Sequence, residues 1–142
     1  MKFFIVFLTL LPSKFLIVQE MQFTISANNK SITITPDNNI DTVFALNKNE
    51  FIKNELLTVH VSNDEIEKDW KRSFVIYDSS DNVVLTFTPV KDKNFCITSN
   101  DLVKKLAPQQ EYYIYTTAIP EDPKKAMLVR VARMLVCKLK IL

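Results

Sequence analysis

Few side chains in this sequence could do chemistry, and their spacing limits what that chemistry would be. His60 is the only histidine. As a general base it would need a nucleophile and an orienting acid brought to it by the fold. In Glu55–Ser62, however, Leu57, Val59 and Val61 alternate with Thr58, His60 and Ser62. His60 therefore falls on the wet side of a strand, and a solvated surface histidine is expected. Asp64, Glu65, Glu67 and Asp69 crowd into one short stretch. A calcium loop needs alternating acids, a central glycine and a terminal bidentate glutamate. This chain contains no glycine, and Lys68 interrupts the acids. The expectation is one helical turn over Asn63–Trp70, capped by Asn63, with the acids on its solvated face.

Cys96 and Cys137 are the only cysteines. They are too few for a structural zinc site unless His60 and a carboxylate joined them. Cys137 has the parity of apolar neighbours in its strand, whereas Cys96 lies between Phe95 and Ile97 and should face away from the core. Two free thiols are expected rather than a disulfide. Tyr112, Tyr113 and Tyr115 could form a platform for sugars or bases, but two of the three are expected to pack across a sandwich with their hydroxyls at its rim. No catalytic, cofactor-binding or metal-ligating residue is assigned.

Composition narrows the partners. With 18 basic and 16 acidic residues the formal charge is +2, and no basic run is interleaved with aromatics. Neither a nucleic-acid partner nor a small-molecule substrate is expected. Average usage of ~7% would give about ten glycines. Their absence excludes glycine-rich phosphate loops and leaves positive-φ turn positions to Asn and Asp. Suitable clusters are Asn28-Asn29, Asp37-Asn38-Asn39, Asn63-Asp64 and Asp81-Asn82.

The elements that must position these residues read as strands. Gln22–Ser26 and Lys30–Thr35 alternate around Asn28-Asn29 as a hairpin. Further strands are expected at Asp41–Leu46, Glu55–Ser62, Arg72–Asp78, Val83–Thr88, Phe95–Thr98 and Tyr112–Ala118, with Pro89–Asn94 as loop and a helical turn over Asn100–Leu106. A closing strand is expected over Met127–Leu142. Met127, Val129, Val131, Leu135, Cys137, Leu139 and Ile141 share one parity, while Arg130, Lys138 and Lys140 lie on the other. Arg133 breaks the apolar row and predicts a bulge or sheet switch nearby. The expected core anchors are Trp70, Phe74, Ile76, Leu85, Phe87, Tyr113, Tyr115, Leu135 and Leu139. Short strands at this spacing, with at most two brief helices, make an all-β sandwich. Its uncovered edges call for a homo-oligomer or a fixed neighbour.

Residues 1–20 stand apart from the domain at 21–142. A basic start at Lys2 precedes the apolar run Phe3–Leu11, which Pro12, Ser13 and Lys14 interrupt before Phe15–Val18 resume it. The run is too short to span a bilayer. It reads as a retained docking arm, as a secretory signal without a small-x-small cleavage site, or as a stretch upstream of a true start at Met21. Membrane contact would follow only from a signal or an anchor there. As a docking element its apolar contacts would be Phe3, Phe4, Val6, Phe7, Leu10, Phe15 and Ile17.

The order of features from Trp70 to Ile141 resembles an Ig-like sandwich domain of tailed-bacteriophage virion proteins of the upper baseplate, neck or fibre-attachment type. The matching features are Trp70, Phe74-Val75-Ile76-Tyr77-Asp78, the hairpin turn Ser80-Asp81-Asn82, Val83–Phe87, Ile97, Asp101-Leu102, the turn Leu106-Ala107-Pro108-Gln109, Tyr113-Ile114-Tyr115 and Leu135-Val136-Cys137-Lys138-Leu139-Lys140-Ile141. Gln109 and Cys137 stand where the family pattern has glycine. The resemblance implies an Ig-like antiparallel β-sandwich with one or two short helical turns. It also implies a non-enzymatic virion component with other virion proteins as partners. The alternative is a secreted or periplasmic bacterial Ig-like binding or adhesin module, exported by a cleaved N-terminal signal.

Overall fold

The computed structural model of this chain describes residues 19–50 and 55–142. Ten strands are present among the described residues: β1 (Gln22–Ala27), β2 (Lys30–Ile34), β3 (Val43–Leu46), β4 (Leu56–Ser62), β5 (Trp70–Tyr77), β6 (Val83–Thr86), β7 (Thr88–Val90), β8 (Asn94–Thr98), β9 (Glu111–Pro120) and β10 (Met134–Ile141). Two short helices, α1 (Ser99–Lys105) and α2 (Pro123–Ala126), sit in the connections. One sheet has the order β2-β1-β4-β8-β7 and the other β3-β10-β9-β5-β6. The chain thus crosses between sheets from β2 to β3, from β3 to β4, from β4 to β5, from β6 to β7 and from β8 to β9. This is the ABED and GFCC′ arrangement of an immunoglobulin-type sandwich, with β1 as A, β4 as B, β5 as C and β10 as G. The pairing is antiparallel except for β3, which lies parallel to β10 with Leu139 opposite Phe44.

Alternation builds the core. Phe23 and Ile25, Leu57 and Val59, and Phe95 and Ile97 point inward from one sheet. Phe74 and Ile76, Tyr112 and Ile114, and Cys137, Leu139 and Ile141 point inward from the other. Phe74 is the hub, with ring centroids 5.9 Å from Phe23, 6.1 Å from Phe87 and 4.7 Å from Phe95. At the bend into β9 the buried Tyr112 accepts a hydrogen bond from Ala107 N at 2.8 Å and donates to Gln110 Oε1 at 3.2 Å. A tyrosine whose hydroxyl bonds back to the backbone at this bend is the corner that Ig-type sandwiches place there. The left-handed positions fall on Asn28, Asn63, Asp81, Asp92, Lys93 and Gln109. The Asn and Asp expectation holds at three clusters, whereas none of Asp37, Asn38 and Asn39 takes positive φ.

Several expectations need correction. The closing strand begins at Met134, not Met127. Asp122 caps α2 and Pro123 occupies its first turn, so the chain turns there and leaves Met127 and Leu128 80% and 86% exposed. The bulge expected near Arg133 is present, between Leu135 and Cys137. The extra residue, Val136, flips the parity, so Leu135 pairs with Tyr115 on the outer face while Cys137 pairs with Ile114 on the inner one. Leu135 is therefore half-buried and not a core anchor. By the same alternation Tyr113 and Tyr115 face outward, and Tyr112 is the tyrosine in the core. Trp70 has the inward parity but stands at the strand end, beyond the core, half-buried. Leu85 is also half-buried, packed against the core from the edge strand β6. The expected core placement holds for Phe74, Ile76, Phe87 and Leu139.

Two further corrections concern connections. Asn63–Asp69 is a loop rather than a helical turn, and Trp70 opens β5, because Asn63 takes φ 55° and Asp64 is tied to Arg72. Part of Pro89–Asn94 belongs to the edge strand β7, whose three residues are all exposed and carry no alternation signal.

Candidate functional site

The two outer sheet faces differ in chemistry. On the β2-β1-β4-β8-β7 sheet, hydroxyl and amide side chains bond to one another. Ser26 Oγ meets Thr58 Oγ1 at 2.6 Å, Thr24 Oγ1 meets Thr33 Oγ1 at 3.4 Å, and His60 Nδ1 meets Asn94 Oδ1 at 2.6 Å. His60 is thus a solvated surface residue, as expected. Cys96 is close along β8 to Asn94 and shares its face, yet no hydrogen bond joins it to His60 among the described residues. Both cysteines are free thiols. Burial pushes the Cys137 thiol up to about 12, which leaves it protonated and unreactive at neutral pH. No group of three or more His, Cys, Asp or Glu side chains suited to a metal occurs among the described residues.

On the other sheet the outer face carries an aromatic and aliphatic cluster beside the hydroxyl pair Ser73–Thr117 at 2.8 Å and the lysines Lys71, Lys138 and Lys140. β5 contributes Val75 and Tyr77, β9 contributes Tyr113, Tyr115 and Ile119, and the bulge in β10 adds Leu135. All are half-buried. The Tyr77 and Tyr115 rings meet edge to face at 5.5 Å. The Arg133 guanidinium lies 4.5 Å from the centroid of Tyr115 and 4.9 Å from that of Tyr77. Asp81, in the β5–β6 turn, pairs with the same guanidinium at 2.7 Å and strengthens its hold on its proton. The turn itself is built by Asp78, whose Oδ1 accepts from Ser80 N and Asn82 N, both at 2.9 Å. These bonds, chiefly those from Asn82, hold the Asp78 carboxyl below its ordinary value. Tyrosine and arginine on a flat, partly apolar face are the side chains that carry binding energy at protein interfaces.

A second surface lies at the end of the sandwich formed by the β4–β5 and β9–β10 loops. A hollow of about 280 Å³ is lined by Trp70, Pro120, Leu128, Val129 and the pair Asp69–Lys125. Lys125 Nζ reaches Asp69 Oδ2 at 2.5 Å, lowering the aspartate and raising the lysine. Beside it, a hollow of about 310 Å³ is lined by Gln19, Glu20, Met21, Asn63, Asp64, Glu65, Ile66 and Arg72. Arg72 donates through Nε and one terminal nitrogen to Asp64, both at 2.7 Å, and its other terminal nitrogen reaches Thr116 Oγ1 at 3.2 Å. The side chains of this pair are only 9% and 4% exposed, so the ion pair closes the end of the core. The acidic stretch is thus not one solvated face: Asp64 and Asp69 hold basic partners, while Glu65 and Glu67 remain exposed.

Sequence reasoning picked out Tyr113 and Tyr115 but assigned them to the core. It missed Tyr77 and Asp81 as partners of Arg133. The available signal was Arg133 itself, the residue that breaks the apolar row. The docking residues Phe3, Phe4, Val6, Phe7, Leu10, Phe15 and Ile17 lie outside the described residues. Compared with family models, curated proteins and solved structures, the chain matches none of them.

Proposed function

We propose that this chain is a non-enzymatic structural component of a tailed-phage virion, at the capsid surface, neck, fibre attachment or baseplate. It acts through protein–protein contacts made by the outer face of the β3-β10-β9-β5-β6 sheet. The observation that carries the reading is the contrast between faces. One outer face saturates its own polar groups, while the other presents Tyr77, Tyr113, Tyr115 and Leu135 around a ring-stacked Arg133. Apolar burial at such a face, repeated around a symmetric particle, supplies affinity without any chemistry. The virion context is supported by the order of motifs from Trp70 to Ile141.

The test is density-gradient purification of particles from the native source, followed by mass spectrometry. The chain should co-purify with the particles at a fixed ratio to the main shell protein, and Y115E should remove it from them. A chain found only in the particle-free medium, with its N-terminus processed within or just after residues 1–20, would establish the secreted module instead. The basic start and apolar run of residues 1–20 favour that second reading.

A further inference from the structure

We propose that β2 is the seam of a homodimer, in which the β2 edges of two copies pair antiparallel about a two-fold axis at Ile32. Among the described residues each sheet ends in two edge strands, β2 and β7 in one and β3 and β6 in the other. Unpaired edges invite pairing, and proteins blunt them by shortness, by proline or by a bulge. β7 has three residues, and the middle one is Pro89. β6 has four and is disturbed by a register shift between Ile76 and Tyr77 of its neighbour. β3 has four and soon meets the tight turn Lys48–Glu50. β2 is the longest edge, with five residues, no proline and an unbroken register to β1.

The backbone of β2 selects the partner. Ala27 and Lys30 flank the two-residue loop Asn28-Asn29, so the hydrogen-bonded pairs of the β1–β2 ladder are Ala27–Lys30, Ile25–Ile32 and Phe23–Ile34. Ser31, Thr33 and Thr35 then turn their N–H and C=O groups away from the sheet. Thr35 is served by its own turn: its N–H donates to Asn38 Oδ1 at 2.9 Å and its carbonyl accepts from Asn38 N at 3.1 Å. That leaves Ser31 and Thr33, whose side chains are exposed on the hydroxyl face. A two-fold axis at Ile32 sets Ser31 of each copy against Thr33 of the other, so both residues donate and accept. No other two-fold register uses all of these groups within the strand. The same register carries the hydroxyl contact of Thr24 and Thr33, 3.4 Å apart, onward by a Thr–Ser pair. It also sets the half-buried Ile32, which packs on the core from the edge, against its own copy. The two Lys30 side chains stand at opposite ends, each across from a buried Ile34. A seam this short makes association concentration-dependent. It stands apart from the virion reading, because β2 belongs to the sheet that does not carry the aromatic face.

The test is oxidation of the full chain carrying I32C in a C96S background. Opposed residues of a non-hydrogen-bonded pair have Cα atoms about 4.5 Å apart, within disulfide range. Cys137 is fully buried and takes no part. Mild oxidation with diamide should convert I32C to a disulfide-linked species of twice the chain mass. T88C on the β7 edge, in the same background, should keep single-chain mass. Equal linking of both, or no linking of I32C, would overturn the proposal. Sedimentation equilibrium reads the seam without a covalent bond. The C96S chain should show a monomer–dimer equilibrium, and T33P should weaken it by roughly tenfold or more. The Thr33 N–H faces away from β1, so proline there removes a bond between copies and none within the sheet. S31K with T33K sets lysines against lysines at exposed positions and should weaken the dimer likewise with melting unchanged. A chain that stays monomeric at every concentration, or a dimer that both variants leave intact, would refute the seam.

Discussion

Gln109 shows what a chain without glycine asks of single residues. It follows Pro108 and takes φ 61°, while its N–H donates to Ile141 O at 2.8 Å and ties the turn to the closing strand. A side chain in this region costs about 1–2 kcal/mol, because its Cβ crowds the following carbonyl. Glycine removes that cost but adds freedom to the unfolded chain. Q109G should therefore raise stability by about 1 kcal/mol, read as a higher urea midpoint at an unchanged slope. A lower midpoint would mean that the Gln109 side chain holds the turn in a way its backbone does not. Asp78 makes a different claim at the same scale. Its folded-state pKa lies below the ordinary 3.8, with hydrogen bonds from Asn82 as the largest cause. Its carboxylate thus stabilises the β5–β6 turn at pH values above 3.8, and that contribution fades as the pH falls through the folded-state value. D78A should be less stable than the parent at neutral pH, and the gap should narrow as the pH drops below 3.8. A gap that is constant with pH would refute the assignment.

At the scale of elements, the bulge in β10 decides which residues reach the outer face proposed for binding. Its carbonyl at Leu135 accepts from Asn39 Nδ2 at 2.6 Å, across a separation of 96 residues. Asn39 is itself buried in the turn between β2 and β3. Removing its amide takes this donor from a part-buried carbonyl, which costs on the order of 1 kcal/mol. N39A should lower the thermal midpoint and speed amide exchange around Val136 and Cys137 more than in β1 or β4. Uniform exchange across both sheets would show that Asn39 does not hold the bulge. This bond also explains how much of the strand could be read from its sequence. Alternation at Cys137, Leu139 and Ile141 is local physics, and it gave the inner face correctly. The apolar residues at Met127, Val129 and Val131 have the same period, but Asp122 and Pro123 divert the chain into α2, and the bulge reverses the parity before Cys137. A period of two reports which residues alternate, not where a distant amide inserts an extra one. Tyr112 shows the same limit, for three neighbouring tyrosines fix their alternation but not which parity is inward. That is set by Ile114 and by the hydroxyl bond to Ala107.

For the whole molecule, the core and the surface were unequally legible. Two five-stranded sheets around Phe74 follow from strand-length alternation and from turns at Asn28, Asn63 and Asp81. The candidate interface does not, because it brings residues of β5, β9 and β10 together with Asp81, and no segment contains the pattern. The core and the proposed interface also use opposite faces of the same strands. In β9, Tyr112, Ile114 and Thr116 serve the core, while Tyr113 and Tyr115 face outward. The two tasks can therefore be separated by mutation. Replacing Val75 and Tyr115 together by Thr makes this outer face resemble the hydroxyl face of the other sheet. Threonine is well suited to strands, and neither position is in the core, so melting should change little. Co-sedimentation with particles should nevertheless be lost, because the ring under Arg133 and the apolar ground beside it are gone. A matched replacement on the opposite face, T58K, should leave co-sedimentation unchanged. If T58K abolished co-sedimentation and the Val75 and Tyr115 replacements did not, the partner would sit on the hydroxyl face, and the contrast between faces would reflect only how each sheet satisfies its own side chains.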